Sequence, residues 1–209
     1  MILHSVIVPP RPALDQLVEV VRSVRRAPDV EAESRWRIFR RHGDAPQQPA
    51  VSLLEERPIP SMQIPIAGFG NVTPADTTRI VQALAAAASE WKPPRVRFMG
   101  LADPKFPADG TVWVRLRGDI EALTEIGRGV PRSVERVGFF VDRRRFRPML
   151  AVARLSSAAT AADWEHVVET LDSFRGREWV VDTLVLTKLA FDGPNTASQE
   201  HERIPIGVQ

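Results

Sequence analysis

The sequence predicts an α+β fold built from two similar halves that face one another across a cleft. Three observations carry this expectation. Met62-Gln63-Ile64-Pro65-Ile66-Ala67-Gly68-Phe69-Gly70 is a short apolar run that leads through Thr73-Pro74 into a helical pattern with Ile80, Val81 and Leu84 on one face. Phe146 to Leu155 is a second such run, leading through a Ser/Ala/Thr-rich turn into a helix bearing Val167, Val168 and Leu171. Between them, Arg95 to Phe98 and Thr111 to Leu116 alternate as half-buried strands do, with the tight-turn pair Asp109-Gly110 in the connection. The approximate duplication, with repeat units near 60–90 and 145–173, implies a single bilobed domain over 1–209, with a ligand cleft between its halves.

The remaining elements follow in chain order. Ile2 to Val8 is a β-rich run stopped by Pro9-Pro10, which no continuing strand tolerates. Ala13 to Arg26 places Leu14, Leu17, Val18, Val21 and Val24 at helical spacing, with acidic residues early and arginines late. Residues 28–58 are rich in charge, proline and glutamine and read as an irregular insertion, with a possible short strand around Trp36, Ile38 and Phe39. Ile120 to Ile126 reads as a short helix closed by Gly127 and Gly129, and Trp179 to Leu186 as a late strand. Most strand pairing is expected to be antiparallel.

Composition narrows the function classes. The chain has 209 residues, 44% of them hydrophobic, enough to bury a core. Its formal net charge is only +2, which does not by itself announce nucleic-acid binding, yet the basic residues are nearly all arginine, the cation suited to bidentate contact with phosphate or carboxylate. With no cysteine, neither a disulfide framework nor a thiolate metal site is expected. No cluster of His, Asp and Glu has metal-ligand spacing, and no glycine-rich phosphate loop or Gly-x-Ser-x-Gly elbow occurs, so no metal or cofactor is expected. The apolar run at the amino terminus is too short for a membrane span and lacks the marks of a secretory signal, which makes a cytoplasmic location and no membrane partner the expectation.

The two repeated runs resemble the paired motifs of the two-histidine phosphoesterases, the group that includes the bacterial 2′-5′ RNA ligases and the 2′,3′-cyclic phosphodiesterases. In that family each lobe supplies a strand with the pattern His, apolar, Thr, apolar. Phe146-Arg147-Pro148-Met149-Leu150-Ala151-Val152-Ala153-Arg154-Leu155 is similar to the second motif, and Gln63-Ile64-Pro65-Ile66 to the first. Phe106-Pro107, Trp113, Phe174-Arg175-Gly176 and Trp179 to Leu186 add to the resemblance, which covers roughly residues 60–190 and not 28–58. It implies a LigT-like fold: two pseudo-symmetric antiparallel-sheet lobes with outer helices around a central cleft.

The departures fall on the residues that would perform the reaction. The resemblance implies two histidines acting as general base and general acid, with threonine hydroxyls on the phosphate oxygens. Imidazole suits that work because it titrates near neutrality. Here Gln63 and Met149 stand at the histidine positions and Pro65 and Ala151 at the threonine positions. An amide can still donate a hydrogen bond to a phosphate, whereas a thioether offers a weak acceptor and an apolar wall. Each positioned acid or base contributes about 10²- to 10⁴-fold, so turnover by the family mechanism should be negligible.

Replacements would have to come from four histidines. His4 lies in the first strand with Ile2, Val6 and Val8 on its face and is the one candidate to border the cleft; His42, His166 and His201 read as solvated. Arg143, Arg145 and Arg147 alternate with Met149 in an extended segment, which would aim them at an anionic ligand at the cleft mouth; a solvated basic loop before the strand is the alternative reading. Arg35, Arg37, Arg40 and Arg41 surround Trp36 and Phe39, a cation and ring mixture compatible with single-stranded nucleic acid or with a buried-aromatic surface element. Three functions stay open on the sequence: a module that binds a nucleotide, an RNA end or another anion through Gln63, Arg145 and Arg147; a scaffold for a protein partner; and an active cyclic phosphodiesterase or 2′-5′ RNA ligase using replacement residues.

Overall fold

The computed structural model describes residues 1–26, 50–142, 145–192 and 195–207, with the side chains of 190–197 left aside. The chain order is β1 (Ile2–Ile7), α1 (Arg11–Ser23), β2 (Arg25–Arg26), β3 (Val51–Ser52), β4 (Leu54–Glu56), β5 (Ile64–Asn71), α2 (Pro74–Ala88), β6 (Arg95–Leu101), β7 (Thr111–Gly118), α3 (Ile120–Arg136), β8 (Met149–Leu155), α4 (Trp164–Ser173), β9 (Trp179–Val180), β10 (Thr183–Asp192) and β11 (Asn195–Pro205). Two sheets dominate, one in the order β11-β10-β1-β5 and the other β4-β8-β7-β6-β9, and every strand pair in them is antiparallel. Helices α2 and α3 pack on the first sheet and α1 and α4 on the second. This is the α+β arrangement of two helix-backed sheets expected from the sequence.

The duplicated units are β5–α2 and β8–α4, one in each sheet. In both, side-chain alternation decides which face is covered. Ile64 and Ile66 are buried while Pro65 is exposed, and Leu150 and Val152 are buried while Met149 and Ala151 are half-buried. Pro65 is tolerated because β5 is an outer strand of its sheet, where a missing N–H removes no essential ladder bond. Thr73 then starts α2: its hydroxyl accepts the Asp76 N–H, the Asp76 carboxylate accepts the Thr73 N–H, and Pro74 occupies the first turn, where its absent donor costs nothing.

Four sequence expectations are corrected. Helix α1 ends at Ser23, because Arg25 and Arg26 leave it to pair with Ser52 and Val51. The carboxyl-terminal part of the supposed insertion belongs to the fold, since Leu53 and Leu54 are buried and β4 pairs with β8. The helix expected to stop at Ile126 continues through Gly127, Gly129 and Pro131 to Arg136. Those glycines mark close packing and not a terminus: β-carbons there would lie 2.5 Å from the Phe146 ring and 2.7 Å from the Trp91 ring. The late strand is divided, Trp179–Val180 joining one sheet and Thr183–Asp192 the other. His42, Arg143, Arg144 and the Trp36–Phe39 group lie outside the described residues.

Candidate functional site

Two cavities each take in one of the motif positions, Gln63 in the first and Met149 in the second. The first, about 560 Å³, lies against the sheet that contains β5 and includes Gln63, Val185, Thr187, Ser198, Glu200 and Arg203. Gln63 donates from Nε2 to the Pro60 carbonyl at 3.2 Å and accepts from the Ser198 hydroxyl at 3.4 Å. That last contact joins residues at opposite ends of the four-strand order, which shows that the sheet curls. Arg203 makes a bidentate pair with Glu200 at 2.8 and 2.9 Å; the bond holds the carboxyl below its usual range and raises the guanidinium. The charges of this cavity are therefore matched inside the protein, and the Gln63 amide is anchored at both ends.

The second cavity, about 620 Å³, opens beside the start of β8 and is lined by the 102–109 loop, Trp113, Arg115, Arg147, Met149 and Trp164. Its volume lies within the roughly 300–1,000 Å³ of ordinary ligand sites. Strand register builds its floor: Arg115 pairs with Met149 and Trp113 with Ala151, so their side chains share a face. Phe106 meets the Trp164 ring edge-on at 5.9 Å, and the Trp164 indole donates to the Pro104 carbonyl at 2.7 Å, fixing the loop as a rim. Lys105, Arg115 and Arg147 line it together with Asp103 and Asp109, three cations to two carboxylates. Asp109 accepts the Thr111 N–H, which keeps its carboxyl below the usual range, and Arg115 reaches Asp172 at 3.4 Å.

The expected site residues are thus distributed as follows. Arg147 and Met149 share the second cavity; Gln63 lines the first; Pro65, Ala151, Arg145 and His4 line neither. Neither cavity contains both Gln63 and Met149. The alternation expected for Arg145, Arg147 and Met149 is broken by a tight turn around Pro148, closed by the Met149 N–H on the Arg147 carbonyl at 2.8 Å. His4 sits over Gly68, where a β-carbon would come within 3.2 Å of its Nδ1. Its Nε2 is buried with no partner among the described residues, and burial lowers its pKa, so the ring is held neutral. A neutral imidazole lining neither cavity is a packing group. Lys105, Arg115, Phe106, Trp113 and Trp164 were not foreseen as site residues; Phe106 and Trp113 entered only as supports of the resemblance. The shared parity of Trp113 and Arg115 in β7 was the available signal.

No family model and no curated protein matches the chain. Solved structures do. It is similar to a protein of Thermus thermophilus, with 16% identity and a TM-score of 0.60 over 99% of this chain and 98% of that one. It is also similar to LigT of E. coli solved with NADP+, with 15% identity and a TM-score of 0.59 over 98% of this chain and 96% of that one. A structure described as a phosphoesterase shares 16% identity with a TM-score of 0.54, covering 98% and 97%. The E. coli protein has also been solved with 3′-AMP and with ATP. The likeness spans both sheets and is a likeness of fold: this chain has the LigT-like fold.

Proposed function

We propose that this LigT-like chain binds a nucleotide, an RNA end or a related anion in the cavity beside β8, without cleaving it by paired acid and base. The observation that carries the reading is the lining of that cavity. Three cations, Lys105, Arg115 and Arg147, stand beside the rings of Phe106, Trp113 and Trp164. Guanidinium and ammonium groups suit phosphate oxygens, and aromatic faces suit a base. The E. coli relative's complexes with NADP+, 3′-AMP and ATP support the same ligand class.

Loss of turnover follows from the groups at the motif positions. Met149 has no proton to give or take, and the Gln63 amide, besides being non-titrating, is occupied by Pro60 and Ser198. The test is calorimetry with 3′-AMP and ATP, together with incubation with 2′,3′-cyclic AMP. Binding that weakens with added salt and falls about tenfold in Arg147→Ala is expected, since hydrogen bonds to charged groups contribute roughly 1.5–3 kcal/mol. The cyclic nucleotide should be recovered intact. Salt-insensitive binding, or none, would remove the reading, and His4-dependent opening of the ring would replace it with an active enzyme.

A further inference from the structure

We infer that Asp172 is a positioning residue for the anion taken up beside β8: it holds the Arg115 guanidinium ready on the floor of that cavity. This role presupposes that the cavity binds an anion. Arg115 stands opposite Met149 in the strand ladder, and its Nη2 donates to Asp172 Oδ1 at 3.4 Å. The other two cations of the lining, Lys105 and Arg147, have no ion pair and no side-chain hydrogen bond among the described residues. Of the three, Arg115 alone is held before a ligand arrives. Ordering a long cationic side chain on binding has an entropic cost, and a guanidinium already docked on a carboxylate has met part of it in the free protein.

The carboxylate is itself fixed, and from outside the cavity. Asp172 is not among the residues that line it, so it acts on a ligand through Arg115. It lies one residue before the end of α4, where the helix dipole disfavours an acid and no basic residue stands in the last turn. What compensates it comes from other elements. At the bulge in β6, the Leu101 N–H donates to Asp172 Oδ1 at 3.2 Å. Gly100 makes that approach possible: its φ is +73°, and a β-carbon there would stand 2.7 Å from the same oxygen and 3.6 Å from Arg115 Nε. The Arg175 guanidinium donates to the Asp172 and Phe174 carbonyls, and the Gly176 N–H to the Phe98 carbonyl, which ties the end of α4 to β6. Bulge and helix end thus converge on one carboxylate oxygen, and that oxygen accepts from Arg115. An asparagine oxygen would satisfy the Leu101 N–H as well; only a carboxylate also attracts a guanidinium.

The test is a double-mutant cycle on the full chain, with 3′-AMP titrated by calorimetry into wild type, Asp172→Asn, Arg115→Ala and the double variant. Asparagine keeps an acceptor for the Leu101 N–H and removes the charge. If Asp172 acted on the ligand only through its field, the change would tighten binding equally in both backgrounds, because a negative charge is lost. Positioning predicts otherwise: Asp172→Asn weakens 3′-AMP by about threefold or more with Arg115 present and does not weaken it in Arg115→Ala. A second measurement needs no ligand. In NMR relaxation of the arginine side-chain nitrogens of the free protein, the Arg115 Nε–H should be ordered in wild type and mobile in Asp172→Asn, while that of Arg147 is mobile in both. An equal effect of Asp172→Asn in the two backgrounds, or an Arg115 Nε–H whose mobility Asp172→Asn leaves unchanged, would overturn the role. If Arg147→Ala weakens 3′-AMP while the cycle is additive, the positioning role alone falls. If neither Arg115→Ala nor Arg147→Ala alters the affinity, the cavity reading falls and this role with it.

Discussion

The Phe146 ring lies over Gly127, so close that a β-carbon at residue 127 would stand 2.5 Å from Cγ and Cδ1. Gly127 belongs to α3, which backs the first sheet, and Phe146 lies three residues before Met149, the first residue of the strand at the cavity in the second. The contact therefore sets where Arg147 and Met149 begin. An exposed Gly→Ala change in a helix interior gains about 1 kcal/mol from propensity. Here overpacking should outweigh it: Gly127→Ala is expected to lower stability by about 1–3 kcal/mol in urea denaturation and to weaken 3′-AMP in calorimetry. A stabilised variant with unchanged affinity would show that Phe146 is free to move aside.

The cavity rim should respond to one hydrogen bond. Trp164→Phe keeps the ring against Phe106 and removes the donor to the Pro104 carbonyl. A stability loss of about 1 kcal/mol is expected, with faster release of a bound nucleotide in stopped-flow measurements. Unaltered release would separate the 102–109 loop from ligand retention.

The start of α2 is a local device with a local cost. Thr73→Ala breaks the reciprocal bonds with Asp76 and should destabilise by about 0.5–2 kcal/mol, whereas Thr73→Ser should be close to neutral. Chemical denaturation of the two variants side by side checks this.

His4 gives a pH dependence whose sign is fixed by burial. Its folded pKa lies below the unfolded value of 6.5, so the unfolded chain binds the proton first as pH falls. Stability from this ring is complete above that value and declines as pH drops toward the folded pKa, by at most about 1.4 kcal/mol per pH unit for one proton. Denaturation midpoints between pH 7.5 and 5 should fall in wild type and fall less in His4→Leu. The depressed carboxyls of Glu56, Asp163 and Glu200 act in the same direction at lower pH. A parallel pH profile in the variant would show that His4 is not the titrating group.

The strand–turn–helix units at 64–88 and 149–173 were legible because apolar spacing, Thr73-Pro74 and the turn residues act within a few positions of one another. The β6–β7 hairpin was legible for the same reason. The strand at 54–56 was not, since three residues carry too little periodicity and β4 exists only through its pairing with β8. The extent of α3 was misread because glycine weakens a helix in isolation; the rings of Phe146 and Trp91, remote in sequence, are what require it.

By itself, then, the sequence determined the α+β class, the doubling of the motif and the chemistry missing at residues 63, 65, 149 and 151, because each is a property of residue type and short-range spacing. The tertiary structure alone decided that Gln63 is tied to Ser198 and lines one cavity while Met149 lines another with Trp113, Arg115 and Trp164. Sheet curl, strand register and the turn at Pro148 set those neighbours, and all three arise from contacts between segments that the linear order keeps far apart.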